Sequence, residues 1–421
     1  MFNPRILVHM SVKIRCTLFL FMALSAFARA DSDIQISADY PGGNIIVERI
    51  DQDASVVYLR QDLRDTKPWW FYWNFKAKNI GGKKVTFKFP NKPKDENIIE
   101  VFGPAVSTDD GKTWRWLNPP EPRKKNEFVY EAPDGINEAQ FSFCIPYTME
   151  NFNAFAKEMR NDAFVIKPLC KTKRGRENIC VVINENPSKR KSRVFLTSRH
   201  HACEATGSYV LEGVMREILS DSPTGKALRQ KAEFFIIPIV DLDGVEDGDQ
   251  GKLRAPHDHN RDYSDNPIYP TVAAARAKLL EWNNTGGIDF LMDFHAPYIG
   301  AKSKDGKTFS INSVIYPVGQ AVPRIFEAQK RFAKILEKVN DSPLPFLASD
   351  LLPFGKLWNV RKTNTHITGY SALLNGTKFS SSLEIPYSSC RGVQTSPESL
   401  KAFGSCVAKA MLEYLNTQSE H

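Results

Sequence analysis

Residues 194–204 read Val194-Phe-Leu-Thr-Ser-Arg-His-His-Ala-Cys-Glu204, an apolar β-prone run that ends in imidazoles and a carboxylate. The run predicts a strand over 194–198. His201 and Glu204 then fall one turn apart, where a loop enters a helix predicted over 209–219 with Val210, Val214 and Ile218 on one face. The pattern recurs downstream. Glu233-Phe-Phe-Ile-Ile-Pro-Ile-Val240 predicts a buried strand, and Asp243-Gly244 follows it. Ile288-Asp-Phe-Leu-Met-Asp-Phe294 predicts another, and His295 follows it; a last strand over 380–385 contains Glu384. Helices over 273–282 and 323–339 lie between these strands, and one over 400–415 closes the chain. Such alternation predicts an α/β fold, a mixed and mostly parallel sheet flanked by helices. Polar residues at the carboxyl ends of its strands converge on one crevice.

Residues 31–150 read differently. Trp70-Phe-Tyr-Trp-Asn-Phe75 is an aromatic-rich strand, Asn79-Ile-Gly-Gly82 a turn, and short alternating runs recur at 84–89, 128–130 and 139–144. They predict a small all-β sandwich whose aromatics fill its core rather than form a ligand platform. A helix over 149–159 opens the second unit. The chain therefore divides into a leader at 1–30, a sandwich at 31–150 and a catalytic domain at 151–421.

The leader has a basic start (Arg5, Lys13, Arg15), an apolar run at 16–28 and a small-residue cleavage signal, Ala28-Arg-Ala30. That order predicts a secretory signal peptide and an exported, periplasmic or secreted protein with no stable membrane insertion after its removal. Losing four basic residues with it, Arg29 being the fourth, takes the formal charge from +8 to +4. No basic run is interleaved with aromatics, so nucleic acid is not an expected partner. The basic cluster Lys171, Lys173, Arg174 and Arg176 surrounds Gly175 and reads as a solvated hairpin tip. Export permits oxidised cysteines, with Cys170/Cys180 and Cys390/Cys406 as candidate pairs.

Two histidines and one carboxylate make a catalytic zinc set that leaves one position for water or substrate. His201 and Glu204 supply two of the three, and His295 is the best-placed third, with Asp293 two residues earlier to orient an imidazole. His200 should point elsewhere, His257-Asp-His259 reads as a loop decoration, and Cys203 as a small buried hydrophobe opposite the metal.

These residues carry a resemblance. Arg199-His-His201-Ala-Cys-Glu204, Asp243-Gly244-Val245, Asn260-Arg261, Asp293-Phe-His295 and Leu383-Glu384 occur in the order found in M14 zinc carboxypeptidases. The sandwich segment Pro68-Trp-Trp-Phe-Tyr-Trp-Asn-Phe75 and Ile145-Pro-Tyr147 resembles the cytosolic carboxypeptidase branch. The resemblance implies one Zn2+ per chain held by His201, Glu204 and His295, and Glu384 as general base. It implies Arg254 as the cation polarising the scissile carbonyl, and Asn260 and Arg261 as the grip on the substrate's terminal carboxylate. The partners it implies are peptide or protein C-termini. In that branch an arginine favours acidic tails; its position here falls on Gly369, followed by Tyr370, a candidate substrate contact, so the acidic preference does not carry over. Arg361 or Lys378 are the cations left to replace it. Two alternatives stand beside the peptidase: an amidase on cell-wall peptides or N-acyl amino acids, and a catalytically dead binding module.

Overall fold

The computed structural model describes residues 32–418, apart from 95, 119–123, 160–161, 185–190, 302–304 and 361–363; the leader and Arg361 lie outside the described residues. The N-terminal part is two facing sheets. One runs in the order β1 (Gln35–Ser37), β4 (Asn74–Lys78), β9 (Glu138–Ser142), β6 (Ala105–Ser107), β7 (Arg115–Trp116). The other runs β2 (Ile46–Asp51), β3 (Val56–Arg60), β5 (Lys84–Lys88), β8 (Glu127–Glu131). Phe75, Phe87, Phe128 and Phe141 pack between them with ring centroids 4.9–5.5 Å apart, the geometry aromatic cores favour. The expected strand at Trp70 begins only at Asn74. Trp70, Phe71, Tyr72 and Trp73 form an extended segment that is buried on both sides. It is wedged between the sandwich and the rest of the chain: Phe71 meets Tyr298 at 5.0 Å and Tyr387 at 5.9 Å. The Gln250 side chain clamps it, accepting from the Tyr72 N–H and donating to the Tyr72 carbonyl, each at 2.8 Å.

After α1 (Met149–Glu158) comes a seven-stranded sheet in the order β10 (Phe164–Lys171), β11 (Glu177–Ile183), β13 (Ala232–Ile237), β12 (Ser192–Ser198), β14 (Phe290–His295), β16 (Ser380–Glu384), β15 (Tyr316–Val318). β13, β12, β14 and β16 are parallel; β10, β11 and β15 are antiparallel flanks. Alternate residues of the central strands serve opposite layers. Val194, Leu196, Phe290 and Met292 join the core formed with α2 (Ala205–Leu219) and, later in the chain, α6 (Pro323–Val339) and α8 (Pro397–Thr417). Phe195, Phe235 and Leu291 join that of α5 (Pro270–Asn284). Both faces are covered, which is why these strands read as unbroken apolar runs. Between these lie α3 (Pro223–Lys231), α4 (Leu242–Asp247) and the short α7 (Ile367–Leu373). No helix among the described residues is long and apolar enough to cross a membrane.

Two expectations are corrected by this packing. The hairpin tip is pinned rather than solvated: Arg176 pairs with Asp243 at 2.9 Å and Asp247 at 2.6 Å, both on α4. Neither candidate disulfide forms. Strand register sets Cys170 opposite Asn178 and Cys180 opposite Lys167. The Cys390 sulfur contacts the Pro345 carbonyl, and the Cys406 sulfur contacts Asp341.

Candidate metal centre

β12 ends at Ser198, and the next residue turns the chain sharply. Arg199 has φ 61°, a left-handed conformation uncommon for a side-chain-bearing residue. Its buried guanidinium holds the turn, donating to the carbonyls of Tyr147 at 2.6 Å and Ala202 at 3.1 Å. The turn separates two adjacent imidazoles. His200 goes inward, 2.8 Å from Asp293 Oδ1 and 2.8 Å from the Tyr263 hydroxyl. His201 goes outward to a cavity of about 660 Å³. Gly251 presses on the same loop with φ +71°, and a Cβ there would sit 2.1 Å from the Ala202 nitrogen, so only glycine fits.

The neighbouring strand completes the set. β14 pairs with β12 so that Ser198 faces Phe294, and Asp293 and His295 share one face. His201 Nδ1 lies 2.9 Å from Glu204 Oε1, and His295 Nδ1 2.7 Å from Glu204 Oε2. Donor atoms of the three residues all lie within 4.8 Å of one another. The outer nitrogens face aspartates: His295 Nε2 is 2.5 Å from Asp293 Oδ2 and His201 Nε2 3.6 Å from Asp258 Oδ1. Inner nitrogens aimed at one point, with carboxylates behind them, are how a protein fixes imidazoles for a cation. Two imidazoles, one carboxylate and an open side fit Zn2+. His200, Asp293 and His295 are equally close together, but their atoms already bond one another and His200 and Asp293 are fully buried.

β16 adds a second carboxylate. Its register sets Glu384 directly beside His295, and the Ile385 N–H donates to the His295 carbonyl at 2.9 Å. Glu384 Oε2 is buried with no hydrogen-bond partner among the described residues. Burial, with Glu204 adding and His295 opposing, holds the Glu384 carboxyl above its ordinary range. Burial works against Glu204 in the same way, yet the charges of His201, Lys252 and His295 hold it well below.

The sequence reading did not single out Lys252, which the fold brings to the centre. Its ammonium is 2.7 Å from Glu204 Oε1 and 5.5 Å from the Trp70 ring, and it lines the cavity. Its only signal was a place in the same loop as Arg254. The role expected of Arg254 is not supported by its position. Arg254 turns away from the cavity and is buried against Asp241 at 3.1 Å, Asp249 at 3.3 Å and Asp65 at 3.4 Å. Positive φ at both Gly251 and Leu253 coils this loop, so neighbouring cations diverge.

Asn260 and Arg261 both line the cavity. The Asn260 amide is engaged, accepting from the Ile367 N–H at 3.2 Å and lying 3.1 Å from His295 Nε2. Arg261 donates to the Asn260 carbonyl at 2.7 Å, and its guanidinium makes no ion pair among the described residues. Tyr370 does not line the cavity; it packs near Tyr263 and under Arg276. His259 is no loop decoration, being buried and stacked on Tyr269 at 3.7 Å, while His257 pairs with Asp262 at 2.7 Å. Cys203 is fully buried, its sulfur 3.9 Å from the Tyr387 hydroxyl.

Comparison with known proteins agrees with this geometry. The zinc carboxypeptidase family profile matches residues 149–310. Cytosolic carboxypeptidase 6 of Caenorhabditis elegans is 24% identical over 277 residues, covering 60% of this chain and 59% of that protein. The Homo sapiens protein of the same name is 24% identical over 417 residues, covering 90% and 78%. Among solved structures, a metallo-carboxypeptidase from Burkholderia cenocepacia superposes with TM-score 0.74 at 17% identity, over 91% of this chain and all of that one. One from Pseudomonas aeruginosa gives 0.71 at 16%, over 90% of this chain and all of that one. The solved structures establish the fold, and residues 149–310, which carry His201, Glu204 and His295, match the zinc carboxypeptidase family profile.

Proposed function

We propose that the chain is an exported zinc carboxypeptidase that hydrolyses the C-terminal peptide bond of peptides or proteins. One observation carries the reading: the two histidines of the metal set, Glu384, Lys252 and Arg261, which has no ion pair among the described residues, all line one cavity. Zinc at the His201/Glu204/His295 set supplies Lewis acidity and lowers the pKa of water. Glu384, buried and with its Oε2 unpartnered among the described residues, accepts the proton of the attacking water and passes it to the leaving amine. Lys252 brings positive charge to the place where the scissile carbonyl develops negative charge. Arg261 offers a two-pronged donor to the free α-carboxylate, the group that distinguishes a chain end from an internal bond. Export rests on the composition of residues 1–30. The test is to compare free-acid peptides with the same peptides capped as C-terminal amides. Cleavage of the free acids alone is expected; equal rates on both would move the protein to the amidase alternative.

A further inference from the structure

We infer that the cleft selects a C-terminal residue with an uncharged hydrogen-bonding side chain, a carboxamide (glutamine or asparagine) above all, through Gln320 and His366. This rests on the carboxypeptidase reading above. A bound chain end runs from its carboxylate at Arg261 to its scissile carbonyl at the metal, so its side chain leaves between the two. The surface there is one polar floor. Ile367 ties the start of α7 to the anchor loop through its N–H to Asn260 Oδ1. Ser382, two residues before Glu384 and so on the same face of β16, lies 3.4 Å from Thr368 Oγ1. Thr368 Oγ1 also meets Gln320 Nε2 at 3.1 Å and His366 Nδ1 at 3.0 Å.

Two groups of this floor keep a free valence toward the cavity. The Gly369 N–H donates to His366 Nδ1 at 2.9 Å, which makes Nδ1 the acceptor and puts the neutral ring's proton on Nε2. Gln320 spends its Nε2 on Thr368, and its Oε1 has no partner among the described residues. Both residues line the cavity. One donor and one acceptor match a carboxamide, which carries both. A carboxylate would meet the Gln320 oxygen. An ammonium would find no counter-charge, because the charged side chains among the described lining residues are Lys252, Arg261 and Glu384, each already assigned to the chemistry or the anchor. Burial, helped by Arg261, lowers His366 to about 4, so the ring adds no charge at neutral pH. Lys378 is committed elsewhere, to Asp289 at 2.7 Å.

Peptides identical except for a last residue of Gln, Glu, Met or Lys read this directly. The wild type should show kcat/KM for the Gln peptide about 10–100-fold above the Met peptide, which has similar size without the bonding groups. Gln320→Met and His366→Phe should each bring that ratio toward one; Gln320→Met, outside the cap of α7, keeps the test open if His366→Phe misfolds. A wild type that prefers Glu, Lys or Met, or a Gln320→Met enzyme with an unchanged ratio, would overturn the inference and leave the carboxypeptidase standing. Amidated peptides cleaved as fast as free acids would overturn that reading and this inference with it.

Discussion

Lys252 and Arg254 are two residues apart, and the structure gives them opposite surroundings, so a pair of substitutions separates the roles proposed for them. Lys252→Met removes the ammonium from the cavity, where it lies 2.7 Å from Glu204. A cation acting where charge develops is worth about 10²–10³ in kcat, so a loss of that size is expected. Its effect on melting should be small. Arg254→Met instead strands Asp241, which lies 3.1 Å from the guanidinium and is 0% exposed, while Asp249 keeps Arg64 at 2.5 Å. Leaving buried charge uncompensated costs about 3–5 kcal/mol, which in a chain of this size lowers Tm by on the order of 10 °C. Its kcat at low temperature should stay within a few-fold of wild type. The assay is kcat/KM on a free-acid peptide, with Tm by calorimetry and zinc content on the same samples. Full turnover in Lys252→Met, with Arg254→Met inactive at unchanged Tm, would refute the assignment and restore the expectation drawn from the sequence.

Glu384→Gln should retain zinc and lose about 10²–10⁴ in kcat, measured at saturating substrate. Because burial raises this carboxyl above its ordinary 4.5 and only the ionised form accepts a proton, kcat/KM should fall as pH drops through a value above 4.5; the acid limb should vanish in the variant. Asp293→Asn, which weakens the carboxylate behind His295, should raise the zinc Kd about 10–100-fold by chelator competition, and an unchanged Kd would count against the orienting role. N-terminal sequencing of exported protein should begin at Asp31.

The metal set was legible because two neighbouring parallel strands, β12 and β14, deliver it at their ends, and strand ends show in a sequence as a change from apolar to polar residues. Glu384 was legible for the same reason. The loop from 250 to 261 was not. Its course depends on the left-handed turns at Gly251 and Leu253 and on the buried carboxylates that draw Arg254 inward, and neither follows from spacing. Tyr370 failed on helix phase: one position after Gly369, a residue points round to another side of α7. The Cys170/Cys180 pair failed on register, which sets Cys170 opposite Asn178 and Cys180 opposite Lys167 and which spacing alone does not fix. The aromatic run at Trp70 was legible as core, but nothing in its alternation told which two bodies it lies between.

That run has a bearing on how the chain can be cut or inherited. Phe71 and Phe143 put their rings against Tyr387, which lies three residues after Glu384, and Gln250 links Tyr72 to the loop that carries Lys252. The Gln250 carbonyl in turn accepts from Cys203, inside the metal loop. A gene trimmed at residue 150 would therefore encode a sheet with the right ligands but a bared aromatic flank and a slack metal loop. The sandwich cannot be lost or exchanged as a spare module: it is the outer half of the mould in which the centre is cast.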